Sequence, residues 1–489
     1  MKSWAYKWQV LVAVIFGAFM VMMDATVVNV ALPKIQQVFG NGNLSQVQWV
    51  ISAYTLALGI VSPLAGLLAD CYGIKRMYIV SLGLFTLGSA LCAIAPNVFL
   101  LVLFRVMQGV GGGSLIPLGT AQLFRVFPED ERGAAYGFFG IAMVMAPALG
   151  PLLSGFFVEY LDWRLIFVVN VPIGLLGIYI GASRLREVKA EEKPRFDKWG
   201  IVTSVVAFGL LLYAFSSAEQ DGWGSLTVVL SLVIGGLGLL ALIFIELGQK
   251  DGLVDLTHFR KSTFRIGALL GWVSVIALFG AEFLLPLYLQ ILRGQTPLQT
   301  GLMLLPLALT SGFVVPLAGK LSDKIGARPL VFTGFLLMMF NTWQFTSLKL
   351  DTDLFYVGVL MAIRGVAFGL IVQITQQVAL QDIDPEALPR ATSLISSSRL
   401  IFQSLGVALM ATLVSATAGT MPNFGAGGPP NPAAMLAYRN NFLQGLSNAY
   451  LATFGLAVVA AVLALFLPGW PAKVVHRQEQ PPLEVEAVK

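Results

Sequence analysis

Residues 62–76 read SPLAGLLADCYGIKR, and residues 315–329 read VPLAGKLSDKIGARP. The two stretches align without a gap at an offset of 253. Pro63, Leu64, Ala65, Gly66, Leu68, Asp70 and Gly73 fall on Pro316, Leu317, Ala318, Gly319, Leu321, Asp323 and Gly326, and Lys75 falls on Arg328. Each copy ends a long apolar run with an acid, a glycine and a basic residue, the pattern of a spanning helix closing in a tight turn at a membrane surface. A chain that carries this pattern twice is built from two like halves.

The rest of the chain agrees. Of 489 residues, 57% are hydrophobic and 12% charged, with a mean hydropathy of +0.79. A soluble domain is about a quarter charged, so a soluble enzyme, a nucleic-acid-binding protein and a disordered scaffold are excluded. Cutting the sequence at its polar breaks leaves fourteen apolar runs, each near the length a spanning helix needs. Strands of a membrane barrel would be shorter and alternating, so the expected fold is all-α and integral to the membrane. The first run is read as an uncleaved helix, because Asp24 interrupts it and no A-x-A site follows.

Of the 31 Lys and Arg residues, 23 fall in one set of alternate loops and 5 in the other. The positive-inside rule then places both termini in the cytoplasm of a multi-pass cell-membrane protein. The net charge of +5 therefore reports topology rather than an anionic partner. The two repeat copies join runs two to three and ten to eleven. That spacing predicts a six-helix bundle over residues 1–183, a cytoplasmic linker with two inserted helices over 184–262, a second bundle over 263–470 and a cytoplasmic tail over 471–489. Cys71 and Cys92 fall at opposite ends of one span, so no disulfide is expected.

Several motifs resemble the major facilitator superfamily, and in particular its 14-helix drug:proton antiporter branch. Gly66, Asp70, Gly73, Lys75 and Arg76 match the cytoplasmic-loop signature, and Gly319, Asp323, Gly326 and Arg328 repeat it. MDATVVNVALP, residues 23–33, is similar to the first-helix motif, and the stretch Arg105, Gln108, Gly109, Gly111 to the fourth-helix motif. Pro147, Gly150, Pro151 and Gly155 resemble the antiporter motif of the fifth helix, and residues 163–174 the entry to the sixth. Cys71, Ile74 and Ser154 depart from these patterns. The resemblance implies two six-helix bundles and transport by alternating access.

Physical chemistry singles out an overlapping set. Asp24 and Glu282 are carboxylates deep within apolar runs, each about 24 Å from the cytoplasmic end at 1.5 Å per residue. Arg105 and Arg364 lie on the fourth helices of the two bundles, and intramembrane ionisable groups mark ion or proton paths. Asp24, Arg105, Glu282 and Arg364 are thus the expected proton-coupling residues. Arg399 has no partner legible in the sequence. Asp70 and Asp323 are expected to lock the bundles, by accepting from a helix N-terminus or pairing with an arginine. The double proline within Pro147–Gly155 predicts a bent helix at the bundle interface. Gln373, Gln376 and Gln377 are candidates for substrate contact.

No G-x-x-x-x-G-K-[ST] loop is present, and His258 and His476 stand far apart, so neither ATP chemistry nor a metal or cofactor site is expected. The expectation is a monomeric exporter of hydrophobic or amphipathic compounds, with protons as counter-substrate and lipid as surroundings. A proton-coupled lipid transporter on the same fold is the alternative. An integral-membrane enzyme or a receptor is remote, because no catalytic constellation can be drawn.

Overall fold

The computed structural model describes residues 6–39, 44–128, 131–187, 197–248, 253, 255–419 and 432–467. Most of the basic linker, the Gly/Pro-rich loop 420–431, the polar tail and His476 lie outside the described residues. Fourteen long helices follow one another: α1 (Tyr6–Phe39), α2 (Leu44–Val61, continued by Ala65–Tyr72), α3 (Ile74–Ala93), α4 (Val98–Val126), α5 (Arg132–Tyr160), α6 (Leu165–Arg184), α7 (Lys198–Asp221), α8 (Leu226–Leu247), α9 (Ser262–Leu287), α10 (Pro297–Ile325), α11 (Ala327–Phe345), α12 (Leu354–Leu380), α13 (Leu388–Ala418) and α14 (Pro432–Ala464). No strand occurs among the described residues.

Thirteen of these helices are long and apolar enough to cross a membrane. The fourteenth, α11, has 19 residues and is diluted by Arg328, Asn341, Thr342 and Gln344. Asn341 and Thr342 are turned inward. Asn341 is fully buried and donates Nδ2 to the Leu360 carbonyl at 2.6 Å. The helix therefore belongs to the bundle despite its composition, because a buried donor paired within the protein costs little. Elsewhere large apolar side chains such as Phe99, Tyr179, Phe244, Phe313 and Phe355 point outward. That is the surface a lipid solvent asks for, since backbone polar groups are satisfied within the helices.

The repeat reappears as packing. In the first half α1 packs against α4, α5 and α6, α4 against α2 and α3, and α3 against α6. Each of these pairs recurs in the second half with every helix number raised by eight. The turns after α2 and α10 are likewise paired, with Gly73 at φ +93° and Gly326 at φ +82°. Both conformations lie where a Cβ is strained, which accounts for the duplicated glycine.

The two halves meet along two seams. In one, α5 lies antiparallel to α10 from Gly155 against Leu298, through Gly312 against Met145, to Gly133 against Gly319. In the other, α2 meets α13 at the end of the molecule that carries Tyr6, Leu467 and the basic loops, here termed the basic end. There a Cβ on Gly66 would lie 2.7 Å from the Arg390 Cα and from the Pro389 carbonyl oxygen. Toward the opposite end α7 bridges the same pair of helices. Tyr213 stacks on Trp49 of α2 with centroids 6.2 Å apart, and Trp223 Nε1, in the turn after α7, donates to Thr412 Oγ1 of α13 at 2.6 Å.

Candidate functional site

Asp24 is fully buried at the centre of a network drawn from five helices of the first half. Its Oδ2 pairs with Arg105 Nη1 of α4, and its Oδ1 accepts from Gln108 Nε2 at 2.8 Å and from Asn170 Nδ2 of α6 at 3.1 Å. Arg105 is as deeply buried. Its Nη1 also donates to Gln108 Oε1 at 2.7 Å, its Nε donates to the Val50 carbonyl at 3.0 Å, and its guanidinium lies 3.9 Å from the Tyr54 ring centroid. Gln108 Nε2 further reaches Ser89 Oγ of α3 at 2.6 Å. An ion pair in this setting survives because both Asp24 oxygens and the Arg105 guanidinium are hydrogen-bonded; with one member removed, the other would be an uncompensated buried charge. The close approach of α4 to its neighbours depends on its glycine run: Gly111 lies against the Phe85 and Ser81 backbone, and Gly113 against the Leu58 carbonyl.

The duplicated loop divides its work. Asp70 crosses to the other half, where Oδ2 accepts from Arg390 Nε in the first turn of α13 at 2.7 Å. Asp323 crosses the opposite way, accepting from the Gly133 N–H at the start of α5 at 3.2 Å and from Gln377 Nε2 at 3.3 Å. Carboxylates at helix N-termini are favoured by the dipole and by the free N–H groups there. The basic members stay within their own halves. Lys75 Nζ donates to the Ala182 carbonyl at 2.9 Å and Arg328 Nε to the Leu467 carbonyl at 2.8 Å, so each closes the exposed end of its sixth helix. The backbone N–H groups of Lys75 and Arg76 both donate to Glu187, at 3.2 and 3.1 Å.

Pro147 and Pro151 are four residues apart within α5. Proline 151 has no N–H to return to the Pro147 carbonyl. Thr26 of α1 supplies the missing donor, with Oγ1 3.1 Å from that oxygen. Gly150 lies on the same side against Met23 and Val27, whereas Pro151 and Gly155 face α10.

A model of the Major Facilitator Superfamily matches residues 14–407. The chain belongs to that superfamily. Relatives of this superfamily member include the multidrug resistance protein Stp of Mycobacterium tuberculosis, 33% identical over 83% of this chain and 75% of that one. The multidrug resistance protein B homolog of the same species is 32% identical over 95% and 89%. The lincomycin resistance protein LmrB of Listeria innocua is 29% identical over 94% and 96%. Among solved structures, the human organic anion transporter MFSD10 (TETRAN) superposes with a TM-score of 0.65 at 15% identity over 93% of this chain and 100% of that one. The proton:xylose symporter XylE does so with 0.63 at 16% identity over 95% and 96%. The shared fold is that of transporters.

The second half of this major facilitator chain does not copy the ion pair. Glu282 is half-buried, and among the described residues it makes no hydrogen bond or ion pair with Arg364. Arg364 is buried, its Nη2 reaching the Leu278 carbonyl at 3.3 Å, with the buried Tyr450 hydroxyl of α14 as its side-chain neighbour. Helical register explains the difference, because Leu278 lies one turn before Glu282 on α9. The three glutamines also separate. Gln376 Oε1 accepts from Arg399 Nη1 at 2.8 Å, Gln377 joins the Asp323 lock, and Gln373 packs against Gly140 of α5 with Oε1 unpartnered. Arg399 thus has a partner that the sequence did not disclose. Gln108 and Asn170 also went unread as ligands of Asp24, although the i,i+3 spacing of Arg105 and Gln108 puts both on one helix face.

Proposed function

We propose that this major facilitator exports hydrophobic or amphipathic compounds by proton antiport, with Asp24 and Arg105 as the coupling pair and both termini in the cytoplasm. The observation that carries this reading is the buried Asp24 carboxylate, both of whose oxygens are engaged by Arg105, Gln108 and Asn170. Taking up a proton would dissolve the ion pair. Arg105 would still hold the Val50 carbonyl, the Gln108 amide oxygen and the Tyr54 ring. The site therefore has partners ready for both protonation states, as a group that loads and releases protons requires. The names of the relatives point to multidrug and lincomycin resistance. The charge asymmetry of the loops supports the orientation.

On this reading the basic end is cytoplasmic and closed, held by Asp70 with Arg390 and by Asp323 with the α5 N-terminus. Substrate then leaves toward the opposite side. Return to the inward-open state requires both locks to break, and protonation of Asp24 would reach them through α1 and α5, which the Thr26 to Pro147 bond ties together. A lateral route for lipid between the halves is less favoured, since α5 on α10 covers one seam and α7 covers the other.

The test is Asp24→Asn in the purified protein. The variant mimics the protonated acid and keeps an oxygen for Gln108 and Asn170. Apolar substrate should bind nearly as in the wild type, while substrate-induced proton release and gradient-driven accumulation are lost. Proton release at the wild-type stoichiometry would transfer the role to Glu282.

A further inference from the structure

Arg399 is a charged group that neither the Asp24 network nor the locks employ. It lies eleven residues beyond Leu388 on α13, is half-buried, and donates Nη1 to the neutral Gln376 at 2.8 Å. Among the described residues no carboxylate lies within ion-pair distance of it, and its electrostatic neighbour is Tyr136 of α5. A cation inside a membrane protein without a counter-charge is costly, and such groups mark substrate or ion paths.

Its surroundings are polar and only partly satisfied. Gln373 Oε1 of α12 is buried without a hydrogen-bond partner, the Tyr136 and Thr120 hydroxyls have only each other as neighbours, and the residues are 5%, 1% and 0% exposed. They come together across the seam between the halves. A Cβ on Gly140 would lie 2.8 Å from Gln373 Cγ. Gly140 is one turn beyond Tyr136 on α5, and Gln373 is one turn before Gln376 on α12. The two helices run in opposite senses, so Gln376 and Arg399 stand level with Tyr136. Phe124 and Phe139 flank the Tyr136 ring with centroids 4.7 and 6.2 Å away. The Gln377 to Asp323 lock lies directly on the basic side of the group.

We propose that Arg399, with Gln373, Gln376, Tyr136 and Thr120 around it, is the head-group site of the substrate pathway and takes an anionic group, a carboxylate or sulfonate, carried on an apolar body. This deepens the export reading and rests on it. A planar guanidinium pairs with a carboxylate through two parallel hydrogen bonds. The Tyr136 and Thr120 hydroxyls would donate to the same anion, and the two phenylalanines would meet the apolar part. Arg399 would act as a specificity residue, favouring organic acids and zwitterions over esters of the same skeleton.

The experiment compares rhodamine B, which has a free carboxylate at neutral pH, with its ethyl ester. Binding of each is measured by fluorescence polarisation to full-length protein in nanodiscs. Wild type should bind the acid about tenfold or more tighter than the ester, the range of a charge-assisted hydrogen bond. Arg399→Gln should bring that ratio to about one, chiefly by weakening the acid, and Arg399→Lys should keep part of the preference, since a single charge remains without the planar fork. A wild-type ratio at or below one overturns the proposal without any variant, and so does a folded Arg399→Gln that keeps the wild-type ratio. Export of both dyes without preference would refute the anion site and leave the export reading standing. The expected ratios without export of either dye would support the site and refute export.

Discussion

At the residue scale, the arrangement around Asp24 shows how a charge is kept in a membrane interior. The carboxylate accepts from three side chains, and its arginine has a carbonyl, an amide and an aromatic face besides. His258, outside the spanning segments, follows a different logic. It is buried beside Phe264, its Nε2 is 3.7 Å from Asp255 Oδ2, and burial holds its imidazole below the usual value of 6.5 despite Asp255. A histidine with a depressed folded value favours the folded state above its unfolded value and loses that contribution as pH falls through the folded one. His258→Phe keeps an aromatic ring without the titration. The gap between the melting temperatures at pH 7.5 and pH 5.5 in detergent should therefore be narrower than in the wild type, and an unchanged gap would mean that His258 contributes nothing to it.

At the scale of the element, α5 has two working faces. Gly150 and the freed Pro147 carbonyl serve α1, whereas Gly133, Gly137, Pro151 and Gly155 serve α10. The contact with α10 is closest at the basic end, where a Cβ on Gly319 would collide with the Gly133 carbonyl. Backbone cannot yield there as a flexible side chain would, so Gly319→Leu must push the basic ends of the helices apart. Turnover in proteoliposomes should fall by about fivefold to 150-fold, as overpacking of about 1–3 kcal/mol implies for a closed state that must form in every cycle. Gly236 on α8 has open space around its Cα, and Gly236→Ala should stay within about 0.5 kcal/mol of wild type, a limit read from the melting transition. Full turnover by Gly319→Leu would show that the seam need not close there.

At the scale of the molecule, one packing scheme is used twice and the two uses are locked reciprocally. Each half sends an aspartate to the first turn of a helix in the other, and α7, backed by α8, lies against α2 and α13. Which way this assembly faces is a matter of loop charge. In a Cys71→Ser background, with Cys92 fully buried, Asp351→Cys should react with an impermeant maleimide on intact cells and Glu386→Cys should react only after lysis. Both native aspartate and glutamate side chains are exposed, at opposite ends of α12. Reversed labelling would invert the orientation and with it the direction of closure.

The sequence by itself determined the class, the helices and the twofold plan, because these depend on quantities that add along the chain. Hydropathy over about 20 residues sets a span, loop charge sets a preferred orientation, and a repeat of Asp70 at Asp323 is visible without coordinates. Even α11 is legible as a run, although its polar residues dilute its apolar character. Only the tertiary structure decided partnership, because partnership depends on which faces meet. Asp24 and Glu282 look equivalent as positions, yet one sits opposite an arginine and the other one turn away from the carbonyl its arginine reaches. Lys75 and Arg328 resemble parts of a gate, yet their charges close helix ends within their own halves. Arg399 seemed solitary, and its bond to Gln376 exists only because α12 and α13 present those faces to each other. A side chain's reach is a few ångströms, whereas the residues it meets lie tens or hundreds of positions away in sequence, and packing alone supplies that proximity.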